Sequence, residues 1–357
     1  MNNQPLQIPL FFPRRQELPP EGLTVLAGDI GGTKTNMAFF RVSKDRMEIR
    51  SEGKYHTADY PSFSAIIRTF LKERQLPAPG RICAGVAGPL VRGKVKITNL
   101  PEEIDTEEIR ETIGVSEVAL LNDLEVTAYG LAALDSQDLI RLHEGAEDIR
   151  GNMAIIAPGT GLGEAGLYWD GKYYYPFPTE GGHCDFSPRS DLDISIFHYL
   201  QAKYGIVSWE KLVAGPGIHD IYLFLRDLRR KPEPDWLTRA LGEGDPSAVI
   251  SGTAVEERDE VCVETMDLFV RYLARESSNL VLKMKATGGL FLGGGIPPKI
   301  VPLLQKEIFL KNYFDCDRMA DLLQTIPVHI ITRDKTALWG AAYYGAYGAA
   351  YIQNQGK

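Results

Sequence analysis

Two stretches of this chain follow one plan. From Leu23 the sequence reads Leu-Thr-Val-Leu-Ala-Gly-Asp-Ile-Gly-Gly-Thr-Lys-Thr-Asn-Met-Ala-Phe-Phe-Arg-Val, two apolar, β-prone runs around a glycine-rich centre. The pattern predicts a strand, a tight turn and a second strand. The plan recurs from Asn152 to Tyr175, again a strand, a Gly/Thr loop and a strand, with Asp170-Gly171 as the next hairpin turn. A chain duplicated in this way is expected to build two related units, and its 357 residues suffice for about two domains at roughly 150 residues each.

The intervening sequence alternates strand and helix signals. Arg81-Ile-Cys-Ala-Gly-Val-Ala-Gly-Pro and Val118-Ala-Leu-Leu-Asn-Asp read as short buried strands, and Leu124 to Leu134 reads as a helix after the second. A longer helix is expected from about Glu256 to Lys285, where Val261, Met266, Phe269, Val270, Leu273 and Leu280 fall near helical spacing. Leu290 to Ile296 reads as a strand ending in glycines, and Pro297-Pro298 opens a helical pattern through Phe309. Thr336 to Tyr351 reads as a helix of small residues able to pack closely on another element. The whole is α/β patterning.

The glycine loops resemble two familiar phosphate cradles and match neither in context. Gly28-Asp-Ile-Gly-Gly-Thr-Lys-Thr35 nearly fits a P-loop, but Thr33 replaces the second glycine, and a strand-like run follows where a P-loop feeds a helix. Gly161-Leu-Gly-Glu-Ala-Gly166 fits the dinucleotide pattern, yet it too precedes a strand rather than a helix whose N-terminus meets the pyrophosphate. Any one such loop is equally well a turn that needs positive φ. Three together offer unobstructed backbone N–H groups, and Thr33 and Thr160 add hydroxyl donors for phosphate oxygens. Asp29 adds a carboxylate suited to Mg²⁺ held through water, although taken alone it is equally a turn-forming aspartate.

Charge and apolar content exclude several classes. The net charge of −8 lacks the basic footprint that captures nucleic acid or an anionic membrane surface. No apolar run approaches the roughly 18 residues of a membrane span, so no membrane is expected as a partner. Residues 1–22 read as a proline-rich extension, because Arg14-Arg15 follow the short apolar patch Ile8 to Phe12 where a signal peptide would place its charge first. The terminal Gln355-Gly356-Lys357 matches no address or lipidation tail. Cys83, Cys184, Cys262 and Cys316 are scattered without a C-x-x-C pair, which fits reduced thiols and a cytoplasmic location.

The set Leu26-Ala-Gly-Asp-Ile-Gly-Gly-Thr, Ala157-Pro-Gly-Thr-Gly-Leu-Gly and Leu292-Gly-Gly-Gly-Ile resembles the phosphate 1, phosphate 2 and adenosine motifs of the sugar kinase, Hsp70 and actin superfamily. That resemblance implies an α/β fold of two ribonuclease-H-like (actin-like ATPase) domains, with ATP and sugar in the interdomain cleft. It implies nucleotide contacts from Gly28, Asp29, Ile30, Gly31, Gly32, Thr33, Lys34, Thr160, Gly161, Gly293 and Gly294. From Leu23 onward the chain more narrowly resembles the bacterial-type ATP-dependent glucokinases. Leu120-Leu-Asn-Asp-Leu-Glu, Thr179-Glu-Gly-Gly-His-Cys-Asp-Phe and Trp209-Glu-Lys-Leu-Val-Ala-Gly-Pro-Gly are similar to that family's sugar-binding segments. Carried over by position, Asn122, Asp123, Glu180, His183 and Glu210 would bind D-glucose, and Asp123 would be the general base for its 6-hydroxyl.

Those residue types suit the task. Ionised Glu180 and Glu210 accept hydrogen bonds from neighbouring hydroxyls, while Asn122 and neutral His183 both donate and accept, so the set reads hydroxyl orientation. Phosphoryl transfer through a loose transition state asks little of its base, which is why a carboxylate suffices at Asp123. Each residue has a plainer alternative: Asn122 or Asp123 as a helix cap, His183 as a core histidine, Glu210 as a solvated carboxylate, Lys34 as an exposed turn lysine. The resemblance further implies a small domain over 23–134 completed by a C-terminal helix over 336–357, a large domain over 135–335, closure on sugar, and a homodimer. A zinc site, found after the same histidine in the neighbouring repressor and kinase family, is not expected, since no cysteine follows Cys184 until Cys262. A kinase for another hexose or an amino sugar is the alternative within the class. A non-catalytic sugar sensor is the alternative outside it, and the 1–22 segment is too short for a helix-turn-helix.

Overall fold

The computed structural model describes residues 8–12, 15–44, 46–88, 90–97, 100–146 and 150–348. They form two compact units, the first built from 1–137, 170–178 and 333–357 and the second from 138–169 and 179–332.

The first unit is organised by a five-stranded sheet: β1 (Leu23–Ile30), β2 (Lys34–Ser43), β3 (Arg46–His56), β4 (Arg81–Val86) and β5 (Val118–Asn122), in the order β3-β2-β1-β4-β5. The hairpin strands β1 and β2 are antiparallel, whereas β1, β4 and β5 are parallel. Alternate side chains of β1 therefore serve opposite faces. Leu26 and Ile30 join Phe63, Ile66, Phe70 and Ile109 in a core beneath two helices. On the other face lies the small-residue helix Thr336–Tyr347. It ends at Tyr347, where Gly348 turns extended, short of the expected Tyr351, and residues 349–357 lie outside the described residues. A Cβ at Gly340 would sit 1.7 Å from Val126 O, so only glycine admits this approach to the neighbouring helix α1 (Asp123–Gly130). The expected helix over Leu124–Leu134 ends as a 3₁₀ turn at Leu131–Ala133.

The proline-rich segment is packed into this unit. Leu10 and Phe12 are buried, Phe11 N–H donates to Tyr174 O at 2.9 Å, and Phe12 stacks on Tyr129 with ring centroids 5.5 Å apart. Pro13, Arg14 and residues 1–7 lie outside the described residues, as does the 355–357 tail.

The second unit repeats the theme. Its strands β6 (Leu139–His143), β7 (Met153–Pro158), β8 (Leu162–Trp169), β9 (Gly289–Leu292) and β10 (Val328–Ile331) run in the order β8-β7-β9-β10-β6. As in the first unit, an antiparallel hairpin (β7 with β8) is extended by parallel strands, here β9 and β10, and β6 then pairs antiparallel with β10. Helices α2 (Gly215–Arg229), α3 (Pro246–Val255) and α4 (Glu260–Met284) cover it. Trp209, Tyr222, Phe269, Tyr272 and Phe309 fill the space between. The single helix expected from Pro297 to Phe309 is instead broken into Pro297–Lys299, Val301–Leu304 and Glu307–Tyr313. Pro302 explains the first break, because a proline is tolerated in the first turn of a helix and breaks its interior. No helix among the described residues is long and apolar enough to cross a membrane.

Candidate active site

In the first unit, the loop between β1 and β2 is a tight turn closed by Gly31 N–H on Lys34 O at 3.0 Å. Thr57 braces it from behind: its Oγ1 donates to Gly31 O at 3.0 Å and its N–H to Thr33 O at 3.0 Å. Thr33 and Lys34 are exposed, Gly31 and Gly32 partly so. The Ile30 side chain is wholly buried, so this residue can offer a ligand only its backbone. Gly28 packs under the loop, where a Cβ would meet Ala84 at 3.0 Å.

Asp29 stands opposite Asn36 in the hairpin, whose Nδ2 donates to Asp29 Oδ2 at 3.1 Å. Burial pushes the Asp29 carboxyl above its ordinary range, and the Asn36 bond offsets this only in part. A carboxyl in that state gains from a cation. Register places Asp29 beside Gly85, and Gly85 beside Leu121, in one line across the sheet. Asn122 and Asp123 follow directly, so they share a sheet edge with Asp29, about 10 Å away at two strand spacings.

The start of α1 fixes both residues. Asn122 Oδ1 accepts from Leu124 N–H at 2.9 Å and Glu125 N–H at 3.3 Å, and Asp123 Oδ1 accepts from Leu124 N–H at 2.9 Å. Asn122 is therefore a cap, which leaves its amide NH₂ for a ligand. Glu125 lies beside them, and burial pushes its carboxyl up to about 7.

In the second unit, the two glycine loops leave adjacent parallel strands, since Ile156 of β7 pairs with Leu292 of β9. Ile296 N–H donates to Pro158 O at 3.2 Å. Gly294 has φ +79°, and a Cβ there would lie 2.6 Å from Pro158 O, so the loop requires glycine. Together they border a cavity of about 500 Å³ lined by Gly159, Thr160, Gly295, Asp245, Ser247 and Lys299, among others. This is the size range of small-ligand pockets. The N-terminus of α2 also faces it, and no side chain caps that first turn. Such an uncapped N-terminus favours anionic groups.

Glu180, His183 and Glu210 are brought together by backbone pairing between two segments of this unit. His183 N–H donates to Glu180 O at 3.0 Å in a 3₁₀ turn, Trp209 N–H donates to Cys184 O at 3.0 Å, and Phe186 N–H donates to Val207 O at 3.0 Å. Glu180 and His183 project outward, their side chains 68% and 62% exposed, which rules out a core histidine. Glu210 Oε2 accepts Leu162 N–H at 3.0 Å, immediately after the Thr160 loop. A Cβ at Gly161 would lie 2.6 Å from the same oxygen. Glu210 is thus tied to the Thr160 loop rather than solvated.

Asp245, Ser247 and Lys299 were not foreseen from sequence, whereas Gly295 belongs to the Leu292–Ile296 motif. Asp245-Pro246 does carry a helix-start signal, and Asp245 Oδ1 accepts Ser247 N–H at 2.9 Å, but that signal says nothing about a ligand. Among the described residues no group of three or more His, Cys, Asp or Glu could hold a metal ion.

The sequence profile of the Glucokinase family matches residues 26–347. A glucokinase of Nostoc punctiforme is 39% identical over 336 residues, covering 90% of this chain and 98% of that protein. Among solved structures, a glucokinase from an Antarctic psychrotroph superposes with a TM-score of 0.75 at 29% identity, covering 90% of this chain and 98% of that one. A glucokinase from Balamuthia mandrillaris, solved in complex with glucose, has the same fold with a TM-score of 0.75 at 20% identity, covering 91% and 94%.

Proposed function

The chain belongs to the glucokinase family and is a sugar kinase, and from that premise we propose that it transfers the γ-phosphoryl group of ATP to the 6-hydroxyl of D-glucose. The observation that carries the reading is the joining of Glu210 to the strand that leaves the Thr160 loop, with Glu180 and His183 zipped to the same segment. An acceptor-recognising cluster is thereby built onto a phosphate-binding loop.

In this reading Glu180 and Glu210 accept sugar hydroxyls, His183 and the Asn122 amide fix their orientation, and an analogue lacking one hydroxyl leaves a partner unpaired. Asp123 takes the proton of the attacking 6-hydroxyl. The rate comes mainly from holding donor and acceptor in line, so the rigidity of the α1 cap matters more than base strength. The Gly31–Lys34 loop and the Thr160 loop offer N–H and hydroxyl donors to phosphate oxygens, and Thr160 with Gly161, Gly293 and Gly294 frames the nucleotide. Asp29 suits Mg²⁺ held through water, because its perturbed carboxyl gains from a hard cation. When bound, that ion would neutralise charge on the transferring group.

The product, glucose 6-phosphate, would enter glycolysis. Resemblance to the family is what supports a cytoplasmic homodimer. The test is ATP consumption by the purified chain with Mg²⁺ against glucose, mannose, fructose, galactose, N-acetylglucosamine and no sugar. Turnover largely confined to glucose supports the reading. Turnover with another sugar alone reassigns the acceptor, and no stimulation by any sugar refutes it.

A further inference from the structure

Beneath the Glu180–His183 turn lie two carboxyl groups that the chemistry above does not use. Glu164, on β8, is 2% exposed and Glu276, on α4, is fully buried. The two carboxyl groups are close enough to perturb each other's charge. Oε1 of each is buried with no hydrogen-bond partner among the described residues. Glu276 Oε2 accepts Asn279 Nδ2 at 2.8 Å. The cation facing the pair is Lys283, whose Nζ stays 3.7 Å from Glu276 Oε1 on a largely exposed side chain.

Two ionised carboxylates in contact, away from water, are unfavourable on both counts. One proton shared between them satisfies the geometry, since a carboxylic acid donates where a carboxylate can only accept. Burial, and after it the charge of Glu276, pushes the Glu164 carboxyl up to about 8. Burial raises Glu276 as well, although Asn279 and Lys283 draw it back.

The other oxygen of Glu164 supports the turn. A Cβ at Gly181 would lie 1.9 Å from Glu164 Oε2, and one at Gly182 would lie 2.2 Å from Leu162 O. Both glycines therefore rest directly on the start of β8. Thr179 completes the seat: its Oγ1 donates to Glu164 O at 3.1 Å and accepts Gly181 N–H at 3.2 Å. The groups facing Glu164 are thus Glu276, Asn279 and Lys283 from α4, and Thr179 and the Gly181 backbone from the turn, with exposed Glu180 and His183 above.

We propose that Glu164 is a positioning residue for the acceptor sugar: while it shares one proton with Glu276 it seats the Glu180–His183 turn, and loss of that proton places a second negative charge under the turn and unseats it. The proposal rests on reading Glu180 and His183 as sugar ligands. A site competent only when protonated binds in proportion to that population, so KM for glucose rises about tenfold from about pH 7 to about pH 9 while kcat is unchanged.

Wild type, Glu164→Gln and Glu276→Gln separate the possibilities. The infrared difference between wild type and Glu164→Gln at neutral pH should contain a protonated carboxylic-acid band that fades as the pH is raised. This reports the pair without reference to sugar. The wild-type KM should rise with pH. In Glu164→Gln it should stay flat, because the amide donates at any pH. In Glu276→Gln the rise should move to lower pH, since the neighbouring charge is gone. Absence of the band, a flat wild-type KM, or an equal rise in Glu164→Gln overturns the proposal. No glucose turnover at neutral pH in the wild type instead refutes the sugar reading, with the band still testing the shared proton.

Discussion

Replacing Gly85 by alanine puts a methyl group where the first unit has no room for one. A Cβ at this position would lie 2.3 Å from Val126 Cγ2 and 3.4 Å from the Cα of Asp123. Carbon atoms in contact rest about 3.5–4.0 Å apart, so Val126 must retreat by roughly 1.2 Å. It is fully buried, and a helical valine keeps essentially one χ1 rotamer, so rotation gives no relief. The start of α1 must move, and Asp123, one turn earlier, moves with it. Overpacking of this kind costs about 1–3 kcal/mol of stability. A shift near 1 Å in a catalytic group costs roughly 10²-fold in rate, about 2.7 kcal/mol of barrier. The assay is kcat with glucose beside the urea midpoint. Gly85→Ala should stay folded and lose about two orders of magnitude in kcat. Adding Val126→Ala removes the opposing methyls and should restore kcat to within several-fold of wild type. A single variant with wild-type kcat, or a folded double variant as slow as the single, would refute the link between Gly85 and the placement of Asp123.

Asp123→Asn should keep sugar binding, measured by intrinsic fluorescence, while kcat falls by roughly 10²- to 10⁴-fold; near-normal turnover removes it from the base role. Glu210→Ala leaves the Leu162 N–H without its partner, so it should cost about 1–3 kcal/mol in thermal or urea unfolding and raise KM for ATP and glucose together. An effect on glucose alone would contradict its tie to the Thr160 loop. His329 is half-buried and stacked on Phe291 with ring centroids 5.3 Å apart, and this burial holds it down to about 4 from 6.5. The folded chain then binds fewer protons there than the unfolded one, so stability falls as pH drops from 6.5 towards 4. His329→Leu should flatten that limb of the urea-midpoint profile, and an unchanged slope would exclude the histidine.

The strand-loop-strand units were legible because alternation and glycine punctuation are local: β1 with β2 and β7 with β8 lie where the pattern put them. The tight packing of the C-terminal helix was legible too, since runs of glycine and alanine have few other uses. The helix expected over Pro297–Phe309 failed where Pro302 lay in plain view, its breaking effect outweighed by the apolar spacing around it. In the candidate site, Glu180, His183 and Glu210 were found by motif, and their mutual zipping depends on pairing between segments about 25 residues apart. Asp245, Ser247 and Lys299 line the cavity only because helix starts converge there, and no periodicity reports a tertiary convergence. The Glu164–Glu276 pair was hidden for the same reason, a glutamate on a strand reading as solvated until its face is known.

The central claim is tested most directly by following the purified chain with ATP, Mg²⁺ and glucose by phosphorus NMR, with the sugar product identified from its carbon shifts. The account predicts that the γ-phosphate signal of ATP disappears one for one with the appearance of glucose 6-phosphate, and that omitting glucose leaves ATP intact. Release of inorganic phosphate without a sugar phosphate, or phosphorylation of any hydroxyl other than that on C6, would contradict it.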